Sequence, residues 1–174
     1  MKYKVIQSAA HNFARSFASS LNSAESDYVM SHLLRAAIVN RTQMYHIDLA
    51  TGALTPSAGI SAGVRAAISD RAMRLPELLQ SQRLDPSRLS RPRMSVQFDI
   101  DGVSMLEPPG QYEAAYKITV DLLDDRGVAH QGVVSGRWGT HDWHYMKTTS
   151  RILSLWRWFS RRHLGRRAVR GRPS

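Results

Sequence analysis

The alternation of apolar and polar side chains between residues 94 and 138 constrains the fold more than any other feature of the sequence. In YEAAYKITVDLL every second side chain from Tyr112 to Leu122 is apolar, while Glu113, Lys117 and Asp121 fall in between. A period of two places alternate side chains on opposite faces of a strand, which predicts a half-buried β-strand. Before it, MSVQFDI is expected to turn at Asp101-Gly102 and to return as VSML in a hairpin; after it, HQGVVSGRW follows the turn signal DDRG. Together they predict an antiparallel meander with one buried face.

Helical spacing precedes this β region. Apolar residues recur every three or four positions over about residues 4–22, from a cap at Ser23 or Ser26 to about residue 40, and over 60–75, and a short strand is predicted at Met44–Leu49. The short break between the first two helices favours an N-terminal helical hairpin. Residues 75–92 are interpreted as one helical turn followed by a surface loop. The predicted fold class is α+β: a helical hairpin, a β-meander of three to five strands packed against helices, and a C-terminal basic amphipathic helix.

The charge is concentrated at the C-terminus. The chain of 174 residues has 24 basic and 14 acidic side chains, a formal net charge of +10. Residues 147–174 contain nine basic residues and no acidic one, which leaves residues 1–146 with a net charge of +1. We therefore predict a single near-neutral α+β domain over residues 1–146 and a basic amphipathic helix with an Arg-rich tail over residues 147–174.

This basic segment is the candidate binding site. Arginine makes planar, bidentate contacts with phosphate and carboxylate, and tryptophan can stack on bases. The candidate anion-binding residues are Arg151, Arg157, Arg161, Arg162, Arg166, Arg167, Arg170, Arg172, Trp156 and Trp158. Nucleic acid is the expected partner, with an acidic protein as the alternative and an anionic membrane surface as a third possibility. Under a purely structural interpretation, the apolar stripe of this helix packs on the sheet and its arginines are only solvated.

Several classes of protein are disfavoured. The absence of cysteine excludes disulfide scaffolds, cysteine nucleophiles and thiolate metal sites. No apolar run reaches the length of a membrane span, and the start of the chain lacks the apolar core of a secretory signal, so a cytoplasmic location is expected. Phosphate-binding loops and dinucleotide fingerprints are missing, and neither a cofactor nor a metal is predicted.

Histidines and tyrosine offer an alternative site. The cluster His141-Asp142-Trp143-His144 follows the last predicted strand, and His130 and Tyr116 fall on the strands before it. On a helix, the two histidines of the cluster would share a face and could bind a metal, whereas on a strand they would point apart. A small enzyme or ligand-binding domain with a His/Asp site is therefore kept as an alternative, which a buried histidine–carboxylate pair facing a cavity would favour and a solid core would disfavour.

Other motifs are explained by local structure. Ser61 stands in a Gly-x-Ser-x-Gly sequence, but a loop precedes it where a nucleophile elbow needs a strand. Asp99 and Asp101 resemble part of a cation-binding loop that lacks its remaining ligands, so a turn is the better interpretation. Asp124 and Asp125 likewise fit a turn.

The predicted function is therefore that of a non-enzymatic binding or accessory protein that engages an anionic partner through its basic C-terminus. A protein–protein interaction factor, of the assembly or immunity type, is the alternative. No catalytic residue and no oligomeric state follow from the sequence.

Overall fold

A computed structural model of the protein describes residues 2–20, 27–106 and 111–140. It contains helices and an antiparallel sheet, as the α+β prediction requires. The helices are α1 (Lys2–Ser20), α2 (Asp27–Asn40), α3 (Ala62–Ala72) and α4 (Leu75–Ser81), with a 3₁₀ turn at Pro86–Arg88. The strands are β1 (Met44–Asp48), β2 (Leu54–Thr55), β3 (Ser90–Phe98), β4 (Ser104–Leu106), β5 (Gln111–Leu123) and β6 (Ala129–Gly139).

The described strands form one six-stranded antiparallel sheet, larger than the predicted meander of three to five strands. β5 pairs with β3 and β4 along one edge and with β6 along the other, since Glu113 is paired with both Ser104 and Gly139. β1 pairs with the free edge of β3, and β2 pairs with β1. β1 and β2, which precede α3 and α4, therefore belong to the same sheet as the strands that follow these two helices.

β4 corrects the expectation that VSML returns along β3 as a hairpin. Both edges of β3 are already occupied, by β1 and by β5, so β4 has no edge of β3 to join. The turn before it is held by Asp99, whose Oδ1 accepts a hydrogen bond from the Gly102 N–H at 3.0 Å. The Asp99 N–H donates to the Ala115 carbonyl at 2.9 Å, which carries the chain along the edge of β5.

β3 begins at Ser90, inside the stretch that was interpreted as a surface loop. Its pairing with β5 shifts between Ser90 and Arg93, where Arg91 has a φ of 47° and Pro92 follows. A bulge places an extra residue in one strand and breaks the period of two. The alternation that identifies a strand in the sequence therefore begins only at Met94.

One face of the sheet carries the core. Buried side chains from β1, β3 and β5 alternate with exposed ones, as the sequence pattern predicts, and their neighbours across the sheet are in register. The buried residues of these strands are Tyr45, Ile47, Met94, Val96, Phe98, Ala114, Ile118, Val120 and Leu122. Tyr45 and Phe98 meet edge to face, with ring centroids 6.5 Å apart.

α1 covers this face by packing on β6 and β5. Its buried stripe is mostly alanine, with Phe13 and Phe17 between the small residues, and this composition lets the helix approach the sheet closely. At Gly132 of β6 the approach is backbone to backbone. A Cβ added there would overlap the carbonyl carbon of Ala10 and the nitrogen of His11.

α2 contacts β6 and α3, while the main contacts of α1 are with β6 and β5. Both predicted helices are present, and each packs against strands of the sheet. Their arrangement as a hairpin stays a prediction, because the link between them lies outside the described residues. α3 buries Val64, Ile68 and Ala72 on the predicted stripe.

The other face of the sheet is open among the described residues and carries charges of both signs. Arg93 stands in register between Asp48 and Asp121 on the neighbouring strands. Arg137 Nε lies 2.7 Å from Glu113 Oε1. Neither sign of charge therefore predominates on this surface. None of the described helices has the length and apolar character needed to cross a membrane.

Candidate functional site: a groove beside the turn between β5 and β6

Three segments that are distant in sequence meet at one end of the sheet and enclose a groove of about 940 Å³. They are the first turn of α1 (Tyr3, Val5 and Ile6), the loop at residues 83–89 between α4 and β3, and the turn at residues 124–128. We call this cavity the turn groove.

Asp124 fixes the turn that forms one wall. Its Oδ1 accepts hydrogen bonds from the backbone N–H groups of Arg126 and Val128, both at 2.9 Å. The Gly127 N–H donates to the Asp124 carbonyl at 2.9 Å, and Gly127 has a φ of 76°, a conformation that glycine adopts without steric cost. The wall is therefore held by side-chain and backbone bonds together.

His130 lies behind this wall and bonds to the same carboxylate. Its Nε2 is 3.0 Å from Asp124 Oδ2, and its side chain is 0% exposed while that of Asp124 is 16% exposed. A carboxylate only accepts hydrogen bonds, so Nε2 carries the hydrogen. The ring of Tyr3, 4.4 Å away between centroids, covers the imidazole. Nδ1 is buried and has no hydrogen-bond partner among the described residues.

This buried histidine–carboxylate pair beside a cavity is the arrangement that favours the small-enzyme or ligand-binding alternative, but its imidazole offers no surface for contact with a substrate. The hydrogen bond from His130, followed by those from the backbone, holds the pKa of Asp124 below its usual range, so Asp124 is a carboxylate at neutral pH. The imidazole has no exposed surface through which it could exchange a proton with a bound molecule. The pair thus supports the wall of the groove.

The arginines of the groove are Arg83, Arg88 and Arg126. Among the described residues, no carboxylate lies within ion-pair distance of their guanidinium groups. The Asp85 carboxylate is engaged locally: its Oδ1 accepts from the Ser87 hydroxyl at 2.7 Å and from the Ser87 N–H at 3.0 Å. These bonds, and the nearby Arg88, lower the pKa of Asp85. The arginine donors therefore remain available to a ligand.

Arg83 ends α4 in a conformation that favours glycine. Its φ is 58°, its N–H donates to the Gln80 carbonyl, and the Leu84 N–H donates to the Leu79 carbonyl, both at 2.9 Å. These two bonds define a Schellman cap, in which glycine is the usual residue at the left-handed position. α2 ends in the same conformation at Arg41, with a φ of 52°.

Of the residues of the predicted alternative site, the structure describes His130 and Tyr116, and it does not bring these two together. His130 and Tyr116 lie six positions apart along the paired strands, a separation of about 20 Å at the rise of a β-strand. The Tyr116 ring instead covers Gly136. His141, Asp142 and His144 lie outside the described residues, as do all ten candidate anion-binding residues of the C-terminal segment. Ser61 caps α3, where its Oγ accepts from the Val64 N–H.

Sequence reasoning missed the turn groove, although it singled out two residues beside it, Asp124 and His130. The sequence correctly predicts the turn at Asp124, and it gives no link between this turn and His130. The feature that places Asp124 and His130 close together is the hairpin of β5 and β6. His130 stands opposite Leu122 in the register, so its side chain returns to the region of the turn at Asp124.

Replacing Asp124 by asparagine is expected to lower the free energy of unfolding at neutral pH, because the charged acceptor for His130 is lost. The folded-state pKa of Asp124 is below its unfolded value, so its contribution is complete above about pH 4 and is lost as the pH falls through the folded-state pKa. Urea unfolding at pH 7, 5 and 3 measures this. The difference in the free energy of unfolding between the wild type and Asp124→Asn should be smaller at pH 3 than at pH 7.

Asp125→Asn is the matched control, since Asp125 is exposed in the same turn. It should leave the urea midpoint almost unchanged at each pH. An equal effect of the two substitutions would contradict the role given to Asp124.

Comparison with known proteins finds no matching family, no similar curated protein and no similar solved structure.

Proposed function

We propose that the protein is a non-enzymatic binding protein that engages nucleic acid through residues 147–174. The observation that carries this proposal is the charge of that segment, which has nine basic and no acidic residues in a chain whose remaining part is near neutral. Eight of the nine are arginines, whose guanidinium groups match phosphate oxygens in bidentate geometry. Trp156 and Trp158 add aromatic surfaces on which unpaired bases can stack.

At its sheet, the described domain contributes no competing basic surface. Its open sheet face carries acidic and basic side chains next to each other, as at Arg93 between Asp48 and Asp121. Electrostatic attraction to a polyanion is therefore expected to reside in the C-terminal segment. This supports a role for that segment as the binding element and for the folded domain as its carrier.

Fluorescence anisotropy with a labelled 20-nucleotide single strand and a 20-base-pair duplex tests the proposal. The full chain should bind both more weakly as salt rises, because bound counterions are released from the phosphates. A chain that ends at Thr149 lacks eight arginines, and its affinity at 50 mM salt should be lower by about 100-fold or more. Far-UV circular dichroism checks that the shortened chain is folded.

A full-length variant with these eight arginines replaced by lysine is the control. It keeps the charge and should keep most of the salt-dependent binding, with any loss measuring the bidentate contacts. Salt-sensitive binding that survives the truncation would overturn the proposal. Capture of an acidic protein by the segment in the presence of nuclease, with no binding to either oligonucleotide, would replace nucleic acid by the protein partner.

A further inference from the structure

We infer that the turn groove binds a small amphipathic anion, a molecule with an apolar body and a terminal carboxylate or phosphate group. The described residues that line the groove all precede Thr140, whereas the nucleic-acid function is proposed for residues 147–174, so the two proposals rest on different parts of the chain.

Exposed hydrophobic side chains are concentrated at the turn groove. Seven large hydrophobic residues are exposed among the described residues, and three of them, Tyr3, Val5 and Val128, line this groove. They are 55%, 38% and 41% exposed. Ile6, Leu84 and Leu89 extend the same surface inward and are partly buried against the core. Covering these side chains would remove apolar surface from water, which favours an apolar ligand body.

The acids and the arginines of the groove differ in whether they already have hydrogen-bond partners. Two of its three aspartates, Asp85 and Asp124, already accept hydrogen bonds from their own loops. Arg83 and Arg126 have no side-chain hydrogen bond or ion pair among the described residues. The unused groups of the groove are therefore one exposed carboxylate, that of Asp125, and the positively charged donors of Arg83 and Arg126. The best partner of these donors is a carboxylate or phosphate at one end of the ligand.

The size of the groove selects a small molecule. Its volume of about 940 Å³ falls within the range of about 300–1,000 Å³ that is typical of sites for small organic ligands. Such sites combine an apolar lining with a few polar groups that orient the ligand, which is the composition found here.

Isothermal titration calorimetry of the full chain with octanoate and with octyl phosphate, which gives the Kd of each probe, tests the inference. Both probes should bind, and the tighter of the two identifies the preferred anionic group. Octanol has the same chain without the charge, and inorganic phosphate has the charge without the chain. Each should bind at least tenfold more weakly than the matching probe. In methyl NMR spectra, the bound probes should shift the signals of Ile6, Leu84 and Leu89.

Arg83→Gly and Arg126→Gln should each weaken octyl phosphate binding by about tenfold, the usual effect of losing a hydrogen bond to a charged group. Arg41→Gly is the matched control for the first, because it makes the same backbone change at the end of α2 and lies outside the groove lining. Both glycine variants should be at least as stable as the wild type, because glycine is the favoured residue at this position.

Three results would overturn the inference. They are binding of octanol as tight as that of octanoate, equal loss of affinity in Arg83→Gly and Arg41→Gly, and shifts confined to methyl groups outside the groove. Loss of nucleic-acid binding on truncation after Thr149, with octyl phosphate binding unchanged, would separate the two proposals.

Discussion

Replacing Gly132 by alanine is expected to lower the free energy of unfolding by about 3 kcal/mol. Gly132 lies in β6 where α1 crosses it, and an added Cβ would overlap the backbone of Ala10 and His11. A side-chain tip can rotate away from such a contact, but two backbones in regular structure cannot. The helix would have to move off the sheet, which would loosen the packing of Phe13 and Phe17.

Urea unfolding followed by circular dichroism measures this loss. Gly63→Ala is the matched control, because Gly63 lies in α3 and an added Cβ would have no heavy atom within 4 Å. Alanine is the better helix former by up to about 1 kcal/mol, so the control should be equal to or more stable than the wild type. A Gly132→Ala protein as stable as the wild type would show that α1 does not lie this close to β6.

The same substitution also tests the link between the helix and the turn groove. Tyr3, Val5 and Ile6 belong to α1 and form one side of the groove. If α1 moves outward at Ala10, this side moves with it. Gly132→Ala should therefore weaken octanoate binding even where the variant is still folded, whereas Gly63→Ala should not.

Alternation and helical spacing predicted the faces of the elements correctly. On β5, alternate side chains between Ala114 and Leu122 point to the core, as the period of two requires. On α3, the buried side chains are those of the predicted stripe, Val64, Ile68 and Ala72. A period identifies which face of a strand is buried, but it contains no information about which strand lies beside it. The pairing of β1 with β3 and of β4 with β5 therefore could not be derived from the pattern.

The turn groove was hidden for a different reason. Its walls come from residues 3–6, 83–89 and 124–128, and none of these segments contains a motif. In a chain with 24 basic residues, Arg83 and Arg126 resemble ordinary solvated arginines. They become distinctive only when the fold places them beside exposed apolar side chains. Asp124 illustrates the same limit, since its turn was predicted and its bond to His130 was not.

Raising the pH above 10 is expected to destabilise the wild type more than the variant Tyr45→Phe. Tyr45 is fully buried among α2 and the sheet, and burial raises its pKa to about 12. In the unfolded chain the phenol ionises near pH 10, so the unfolded state loses its proton first. The stability that comes from keeping Tyr45 neutral is complete below pH 10 and is lost as the pH rises through about 12.

The pKa of Tyr45 differs by about two units between the folded and the unfolded state. This difference lowers the free energy of unfolding by about 3 kcal/mol at high pH, and about half of that loss is expected by pH 11. At pH 7 Tyr45→Phe should differ from the wild type by about 1 kcal/mol or less, because its hydroxyl donates only a long hydrogen bond of 3.5 Å to the Leu33 carbonyl. Urea midpoints at pH 7, 9 and 11 measure the difference. Tyr3→Phe, which removes a 55% exposed phenol, is the control and should keep the alkaline loss of the wild type. Parallel loss of stability in the wild type and Tyr45→Phe would mean that the Tyr45 phenol reaches water in the folded protein.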